Sequence, residues 1–154
     1  YQIGSSSIIK KDGIYYLYYF GRNAPLYRIG VATSTDGINF TKYPGNPIIT
    51  NTASWEESGV IYPSVILENS LFKMVYTNST GTGFGLATST DGFNWIKSGS
   101  NPFFNNLQTS NDWARGKIAF PHWVKLSNEM RIYYSGIQIN SDEHRIGMMK
   151  KLGN

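Results

Sequence analysis

The chain repeats one stretch almost unchanged: residues 29–40 read Ile-Gly-Val-Ala-Thr-Ser-Thr-Asp-Gly-Ile-Asn-Phe, and residues 84–95 read Phe-Gly-Leu-Ala-Thr-Ser-Thr-Asp-Gly-Phe-Asn-Trp. An Asn-Pro pair follows each copy, at residues 46–47 and 101–102. Ala32 corresponds to Ala87, 55 residues further along the chain. A fixed period of this order indicates an array of similar structural units.

Comparison of the flanking sequence extends the repeat and adds a third copy. Trp55 corresponds to Trp113, and Pro63 corresponds to Pro121. Three segments share a turn followed by an apolar or aromatic run, namely residues 13–21, 70–78 and 128–136. The first copy lacks its Trp and Pro, and the last copy lacks its Asp-Gly and Asn-Pro. We therefore expect one domain of a little under three units, at about residues 1–53, 54–111 and 112–154.

The composition favours an all-β fold and excludes several classes of protein. Of the 154 residues, 15% are aromatic, and aromatic and β-branched residues suit pleated strands. The absence of Cys excludes disulfides and thiolate metal sites. No apolar run approaches the roughly 18 residues of a membrane span. The net charge of +4 comes from scattered Lys and Arg, which predicts a solvated surface and no nucleic-acid partner.

Each unit is predicted to contain four short strands, and in the second unit these lie at residues 64–67, 71–77, 84–88 and 94–97. The run at residues 15–20, Tyr-Tyr-Leu-Tyr-Tyr-Phe, is apolar or aromatic on both faces of a strand. Such a sheet must be covered on both sides. A radial stack of four-stranded antiparallel blades meets this requirement, so we predict a partial β-propeller of about three blades.

The connections differ in length, which indicates where function would reside. The Asp-Gly pairs at residues 12–13, 36–37 and 91–92, with the pairs at residues 69–70 and 127–128, are predicted to form tight turns between strands. Longer connections are predicted at residues 22–27, 45–61, 98–119 and 138–143, all at the opposite end of the blades. Long loops on a rigid scaffold are where binding and catalytic groups collect.

The inner strands are predicted to line a central channel near that end. The residues expected there are Tyr62, Pro63 and Ser64 in the second unit and Phe120, Pro121 and His122 in the third.

The whole repeat, from Trp through Pro-Ser-Val-Ile to Thr-Asp-Gly and Asn-Pro, resembles the blades of the five-bladed β-propeller glycosidases, the superfamily of arabinanases, levansucrases and invertases. The resemblance covers nearly the whole chain. It implies a carbohydrate partner and carboxylates at the channel ends of the inner strands, often directly before the Pro.

The carboxylates implied by this resemblance are absent, because Tyr62 and Phe120 stand before the two Pro residues. Glycoside hydrolysis needs two carboxyl groups roughly 5 to 10 Å apart. The nearest acidic residues are Glu56, Glu57 and Asp112, on the long loops that precede the inner strands. They are the candidate catalytic residues, and the alternative is that they are solvated loop carboxylates.

Six further residues are candidates for binding a sugar. The flat rings of Trp55, Tyr62, Trp113 and Phe120 suit sugar faces. Arg115 could bind hydroxyls or a carboxylate, or form a salt bridge within its loop. His122 could act as a general base or bind a hydroxyl, or be a hydrogen-bonded channel residue. The other histidine, His144, lies on a peripheral loop, so no transition-metal site and no cofactor are expected.

Three functions are consistent with the sequence. The favoured one is a carbohydrate-binding or carbohydrate-processing propeller without catalysis by this chain, because Tyr and Phe cannot replace the missing carboxylates. The second is an active glycoside hydrolase that uses the loop carboxylates, including those of a second protomer. The third is a protein-interaction scaffold. Three blades leave strand faces uncovered, so we expect either a homodimer that completes a ring or a longer chain with further blades.

Overall fold

A computed structural model describes residues 2–127, 129–141 and 143–151 and shows three antiparallel sheets. The first sheet, blade one, has the order β1 (Gln2–Lys11), β2 (Ile14–Asn23), β3 (Leu26–Ser34) and β4 (Thr41–Lys42). Among the described residues, no helix has the length and apolar character needed to cross a bilayer.

Blade two has the order β5 (Val60–Glu68), β6 (Leu71–Asn78), β7 (Gly83–Ser89) and β8 (Ile96–Lys97), and the short β9 (Phe104–Asn105) also pairs with β7. Blade three contains β10 (Lys117–Lys125), β11 (Met130–Ile137) and β12 (His144–Lys151). A 3₁₀ helix lies in the long connection before blade two, at Ser54–Glu56, and another lies before blade three, at Asp112–Ala114.

The blades pack face to face, and each junction has its own apolar core. Between blades one and two the core includes Tyr18, Ile29, Val31, Phe72 and Met74, all fully buried. Between blades two and three it includes Val75, Phe84, Ile118, Ile132 and Tyr134. The innermost strands β1, β5 and β10 contact one another in that order. The prediction of an all-β fold built from propeller blades is confirmed.

Two details of the predicted connections are wrong. Strands β2 and β3 extend to Asn23 and from Leu26, so only Ala24 and Pro25 join them instead of a loop over residues 22–27. The Asp-Gly pairs of the repeated motif do not form two-residue hairpins, because residues 35–40 and 90–95 lie between the strands. The turns at residues 12–13 and 69–70 are tight as predicted, whereas Asn128 of the predicted turn at residues 127–128 lies outside the described residues.

The repeated Asp organises its loop through its carboxylate. In blade two, Asp91 Oδ1 accepts hydrogen bonds from the N–H groups of Phe93 and Asn94, both at 2.8 Å, and from the Ser89 hydroxyl at 2.9 Å. Asp36 makes the same contacts in blade one. Hydrogen bonds from the Asn94 backbone hold the pKa of Asp91 well below its usual value. The motif is therefore a structural loop with a charged acceptor at its centre.

The repeated Asn substitutes for a strand partner where the short outer strand ends. Asn101 Oδ1 accepts from the Leu86 N–H at 2.9 Å, and its Nδ2 donates to the Leu86 carbonyl at 2.9 Å and to the Tyr76 hydroxyl at 3.2 Å. Asn46 makes the corresponding contacts with Val31 and Tyr19 in blade one. In each blade the Asn side chain is thus the acceptor for one N–H of the third strand, while the carbonyl of the same residue also accepts from a backbone N–H, that of Ser98 in blade two and of Tyr43 in blade one.

Asn101→Ala is expected to lower the free energy of unfolding by about 2 kcal/mol, because it leaves the Leu86 N–H without its acceptor and removes one of the two donors to the Leu86 carbonyl. Urea denaturation followed by tryptophan fluorescence measures the loss. Asn94→Ala is the matched control, since Asn94 is exposed and its amide bonds only Asp91. Equal stability of the two variants would contradict the assigned role of Asn101.

Candidate functional site

The three innermost strands share one irregularity near the channel end. The pairing register shifts between Gly4 and Ser6 in β1, between Ile61 and Ser64 in β5, and between Ala119 and His122 in β10. At the centre of each shift the backbone has a positive φ: 35° at Ser5, 53° at Tyr62 and 52° at Phe120. Such angles are uncommon for bulky residues and concentrate at functional sites.

A cavity of about 410 Å³ lies between these irregular segments. The inner strands of all three blades line it with hydroxyls, apolar side chains and one imidazole: Ser5, Ser6, Ser7, Ile8, Pro63, Ser64, Val65, Phe120, Pro121, His122 and Trp123. The structure therefore brings together five of the six residues expected at the channel, whereas Tyr62, the sixth, does not line this cavity. The five are Pro63, Ser64, Phe120, Pro121 and His122. Among the described residues that line the cavity, none carries a carboxylate and none is Lys or Arg.

Two aromatic rings lie together at the bulges. The rings of Tyr62 and Phe120 have centroids 4.0 Å apart, and Phe20 meets Tyr62 edge-on at 5.3 Å. Phe120 is 48% exposed, so part of its ring is available to a ligand. Burial raises the pKa of the Tyr62 hydroxyl.

Serine hydroxyls join the inner strands across each junction. Ser7 Oγ accepts from the Val65 N–H at 2.9 Å, and Ser64 Oγ accepts from the Trp123 N–H at 3.1 Å. His122 occupies the corresponding position in blade three and is exposed. Of the three equivalent residues Ser7, Ser64 and His122, His122 is therefore the most exposed to solvent.

Glu56 is not the solvated loop carboxylate expected from the sequence. It is fully buried, and its carboxylate accepts from Lys97 Nζ at 2.5 and 2.7 Å and from the Tyr76 hydroxyl at 2.8 Å. The N–H groups of Thr52 and Ala53 donate to it at 2.6 and 3.0 Å. Burial alone would raise the pKa of Glu56, but Lys97 and the other donors hold it below its usual value.

The other two acidic candidates lie at the surface. Glu57 follows the first 3₁₀ helix with a φ of 53° and is exposed. Asp112 is 84% exposed in its side chain and pairs with Arg115 Nε at 3.1 Å, so Arg115 forms the loop salt bridge that the sequence left open. Neither carboxylate lines the cavity between the inner strands. A catalytic role for Glu56, Glu57 or Asp112 stays a prediction.

The two repeated tryptophans pack against their own blades and do not line this cavity. The Trp55 ring stacks on Tyr76 with centroids 5.9 Å apart and lies against Gly83. Trp113 lies against Gly136 in blade three. A direct role for either ring in ligand binding also stays a prediction.

Sequence reasoning missed the contribution of the first blade to the cavity. Ser5, Ser6 and Ser7 lie in β1, and the sequence did not single them out as binding residues. Their position in the repeat could have identified them, since Ser7 corresponds to Ser64 and His122. The described residues contain no group of three or more His, Cys, Asp or Glu side chains that could hold a metal ion.

The model of glycosyl hydrolase family 130, described as β-1,4-mannooligosaccharide phosphorylase, matches residues 6–147. The chain belongs to this family. Family 130 membership agrees with the propeller blades and with the repeat that runs through all three of them. The resemblance to the five-bladed propeller glycosidases is thereby confirmed at the level of the superfamily.

Solved structures show that this family 130 chain shares its fold with larger glycosidases. A glycoside hydrolase family 32 β-fructofuranosidase of Bombyx mori in complex with sucrose is 18% identical, with a TM-score of 0.73, and the match covers 96% of this chain and 34% of that one. A glycosyl hydrolase from Bacteroides ovatus is 15% identical, with a TM-score of 0.72, and covers 95% and 46%. The chain thus spans a third to a half of the length of these structures.

Proposed function

We propose that the chain binds a carbohydrate in the cavity between its inner strands. One observation supports this: three blades direct hydroxyls, an exposed imidazole and a partly exposed aromatic ring into one cavity of about 410 Å³. Sugar hydroxyls hydrogen-bond to such groups, and the apolar face of a pyranose packs on a flat ring. Binding sites combine apolar surface with a few polar groups in this way.

The proposed role is binding without cleavage by this chain alone. Cleavage of a glycosidic bond needs a carboxylic acid that protonates the leaving oxygen. The described lining of the cavity has no such group, and the Glu56 carboxylate is occupied by Lys97 and Tyr76. The family description makes β-1,4-linked mannooligosaccharides the first ligands to test.

Phe120→Ala is expected to weaken binding of β-1,4-mannotetraose about tenfold, because it removes the exposed ring, beside Tyr62, on which the sugar is proposed to pack. Isothermal titration calorimetry measures the change. Leu107→Ala is the control, because Leu107 is 75% exposed and does not line the cavity. Saturable binding that both variants retain unchanged would place the sugar elsewhere. If no binding occurs to this oligosaccharide or across a glycan array, the interaction scaffold becomes the leading function.

Phosphorolysis is a second candidate, favoured by the family description and by the exposure of Glu57 and Asp112. In this reaction a phosphate oxygen attacks the anomeric carbon while the glycosidic C–O bond breaks, and the leaving oxygen takes a proton. Phosphate replaces the activated water, so one carboxylic acid is sufficient. Phosphate-dependent release of mannose 1-phosphate that is lost in Asp112→Asn or Glu57→Gln would establish this activity, including in an assembly of two chains.

We also propose that a second copy of the chain covers the open faces of the blade array. Ile3 and Ile8 of blade one are 64% and 52% exposed, and Ile146 and Met148 of blade three are 73% and 42% exposed. Two copies with blade three of each against blade one of the other would form a closed ring with two-fold symmetry. Light scattering after gel filtration tests this assembly, and a monomer at high concentration would contradict it.

A further inference from the structure

Four aromatic rings follow one another across the three blades, at the end that carries the long connections. Phe120 of blade three lines the cavity between the inner strands, and its ring centroid lies 4.0 Å from that of Tyr62 in blade two. Phe20 of blade one lies 5.3 Å from Tyr62, and Tyr27 of the same blade lies 6.3 Å from Phe20. We call these four residues the aromatic row. Only Phe120 lines the cavity, so the row begins there and leads away from it.

Strand geometry holds the far part of the row in place. Phe20 and Arg22 are two residues apart in β2 and therefore share one side of the sheet. Tyr27 of β3 pairs directly with Arg22, and the Arg22 guanidinium lies 5.1 Å from the centroid of the Tyr27 ring. The Phe20 ring packs on Gly4 of β1, where a Cβ would lie only 2.8 Å from it. The rings thus rest on regular strands.

The blade architecture does not require an aromatic ring at Phe20. The residue at the same register position is Thr77 in blade two and Ser135 in blade three, since each of the three pairs with the residue before the Gly of its third strand. Neither of these two residues is aromatic, although both blades form the same kind of sheet. The ring of Phe20 is therefore a local addition to the repeat.

The rings of the row also keep surface that packing does not use. Phe120 is 48% exposed, and Phe20, Tyr27 and Tyr62 are half-buried. In contrast, Phe72, an aromatic residue of the core between blades one and two, is fully buried. Aromatic rings offer a large apolar surface, and Tyr adds a hydroxyl at its edge. The row therefore presents a partly apolar surface that continues from the cavity.

Polar groups lie at the far end of the row. The Ser58 carbonyl accepts a hydrogen bond from the Tyr27 N–H at 3.0 Å, so the connection before blade two runs beside Tyr27. Glu57, the residue before Ser58, is exposed. A guanidinium donates hydrogen bonds to hydroxyl groups and a carboxylate accepts them. A hydroxylated ligand at Tyr27 thus meets an aromatic ring, a donor in Arg22 and an acceptor in the neighbouring segment.

We propose that the aromatic row forms outer subsites of the sugar site, along which a linear oligosaccharide extends from the cavity to Tyr27. The inference rests on the sugar binding proposed for that cavity. One end of the oligosaccharide lies in the cavity with Phe120 and His122, and the following units pack on Tyr62, Phe20 and Tyr27. The site is therefore selective for chain length and favours oligosaccharides longer than a disaccharide. A site confined to the cavity would not make this distinction.

Isothermal titration calorimetry with β-1,4-mannobiose and β-1,4-mannotetraose tests this selectivity. We expect the unaltered chain to bind the tetraose at least about tenfold more tightly, because the additional units gain aromatic contacts. Tyr27→Leu keeps an apolar side chain but removes the flat ring and its hydroxyl, so the ratio of the two affinities should fall towards one. Phe120→Ala should instead weaken the binding of both sugars, since Phe120 lies in the cavity itself.

Tyr15→Leu is the matched control for Tyr27→Leu. Tyr15 is also a half-buried Tyr of blade one with a cation over its ring, since Lys10 Nζ lies 4.4 Å from the centroid, but it lies at the opposite end of β2. This variant should keep the affinity ratio of the unaltered chain. NMR of the labelled, unaltered chain gives a second measurement. The tetraose should shift the amide signals of Tyr27 and Ser58, whereas mannobiose should not.

Three results would overturn the inference and leave sugar binding in the cavity intact. These are equal affinity for the two sugars, an affinity ratio that Tyr27→Leu does not change, and tetraose shifts that do not reach Tyr27 and Ser58. If neither sugar binds, the inference fails together with the proposal that the cavity binds these oligosaccharides.

Discussion

Lys97→Met is expected to lower the free energy of unfolding by about 3 kcal/mol, since it leaves the fully buried carboxylate of Glu56 without its cation. Removal of one partner of a buried ion pair costs more than removal of both, because the remaining charge is still desolvated. Chemical denaturation of the variant and of the unaltered chain measures the difference.

Lys42→Met supplies a matched control for this experiment. Lys42 occupies the same position in blade one, is exposed, and has no ion-pair partner among the described residues. Its replacement is expected to change stability by less than about 0.5 kcal/mol. A double variant, Glu56→Gln with Lys97→Met, should recover part of the loss because no buried charge remains. If Lys97→Met and Lys42→Met are equally stable, the Glu56–Lys97 pair does not contribute as described.

The same ion pair makes stability depend on pH. The pKa of Glu56 lies below its ordinary value of 4.5, because Lys97 and three other donors outweigh the effect of burial. A carboxyl group whose pKa is lower in the folded state stabilises the fold above its ordinary pKa, and this contribution is lost as pH falls through the folded value. We therefore expect a loss of stability below about pH 4.5 that is smaller in Glu56→Gln. An identical pH profile for both proteins would contradict this assignment.

Phe84→Ala is expected to cost about 3 to 5 kcal/mol, which is a large part of the stability of a typical domain. Phe84 is fully buried at the junction of blades two and three. Its ring centroid lies 5.8 Å from that of Tyr134 and 6.1 Å from that of Phe104, so its loss opens a cavity between two sheets. A fall in melting temperature of about 10 °C is the expected result.

Phe120→Ala is the matched control for Phe84→Ala, because it makes the same substitution at a partly exposed position. Phe120 is 48% exposed and packs mainly on Tyr62, so its removal is expected to cost about 1 kcal/mol. Similar melting temperatures for the two variants would show that the junction of blades two and three does not depend on Phe84. The melting curve of Phe120→Ala also tests whether this variant, which is used in the sugar titration, is folded.

Much of the site was predictable where it repeats in the sequence. The pairs Pro63 and Pro121 and Ser64 and His122 occupy equal positions in the repeat, and all four line the cavity between the inner strands. The backbone of Tyr62 and Phe120 was not predictable, because no local rule assigns a positive φ to an aromatic residue. Two-residue hairpins were predicted from Asp-Gly, but the Asp carboxylate instead accepts several N–H groups of a longer loop.

The sequence by itself determined the strands, their grouping into blades and the order of the blades. These features arise from residues close together in the chain, through alternation, turn chemistry and a repeated motif. Only the tertiary structure decided which polar groups are buried, paired or left open. The Glu56 carboxylate is buried because the fold places Lys97 and Tyr76 beside it. Lys42 holds the equivalent position in the repeat, but among the described residues no carboxylate forms an ion pair with it. Solvation depends on groups distant in sequence, and for that reason the repeat could not reveal it.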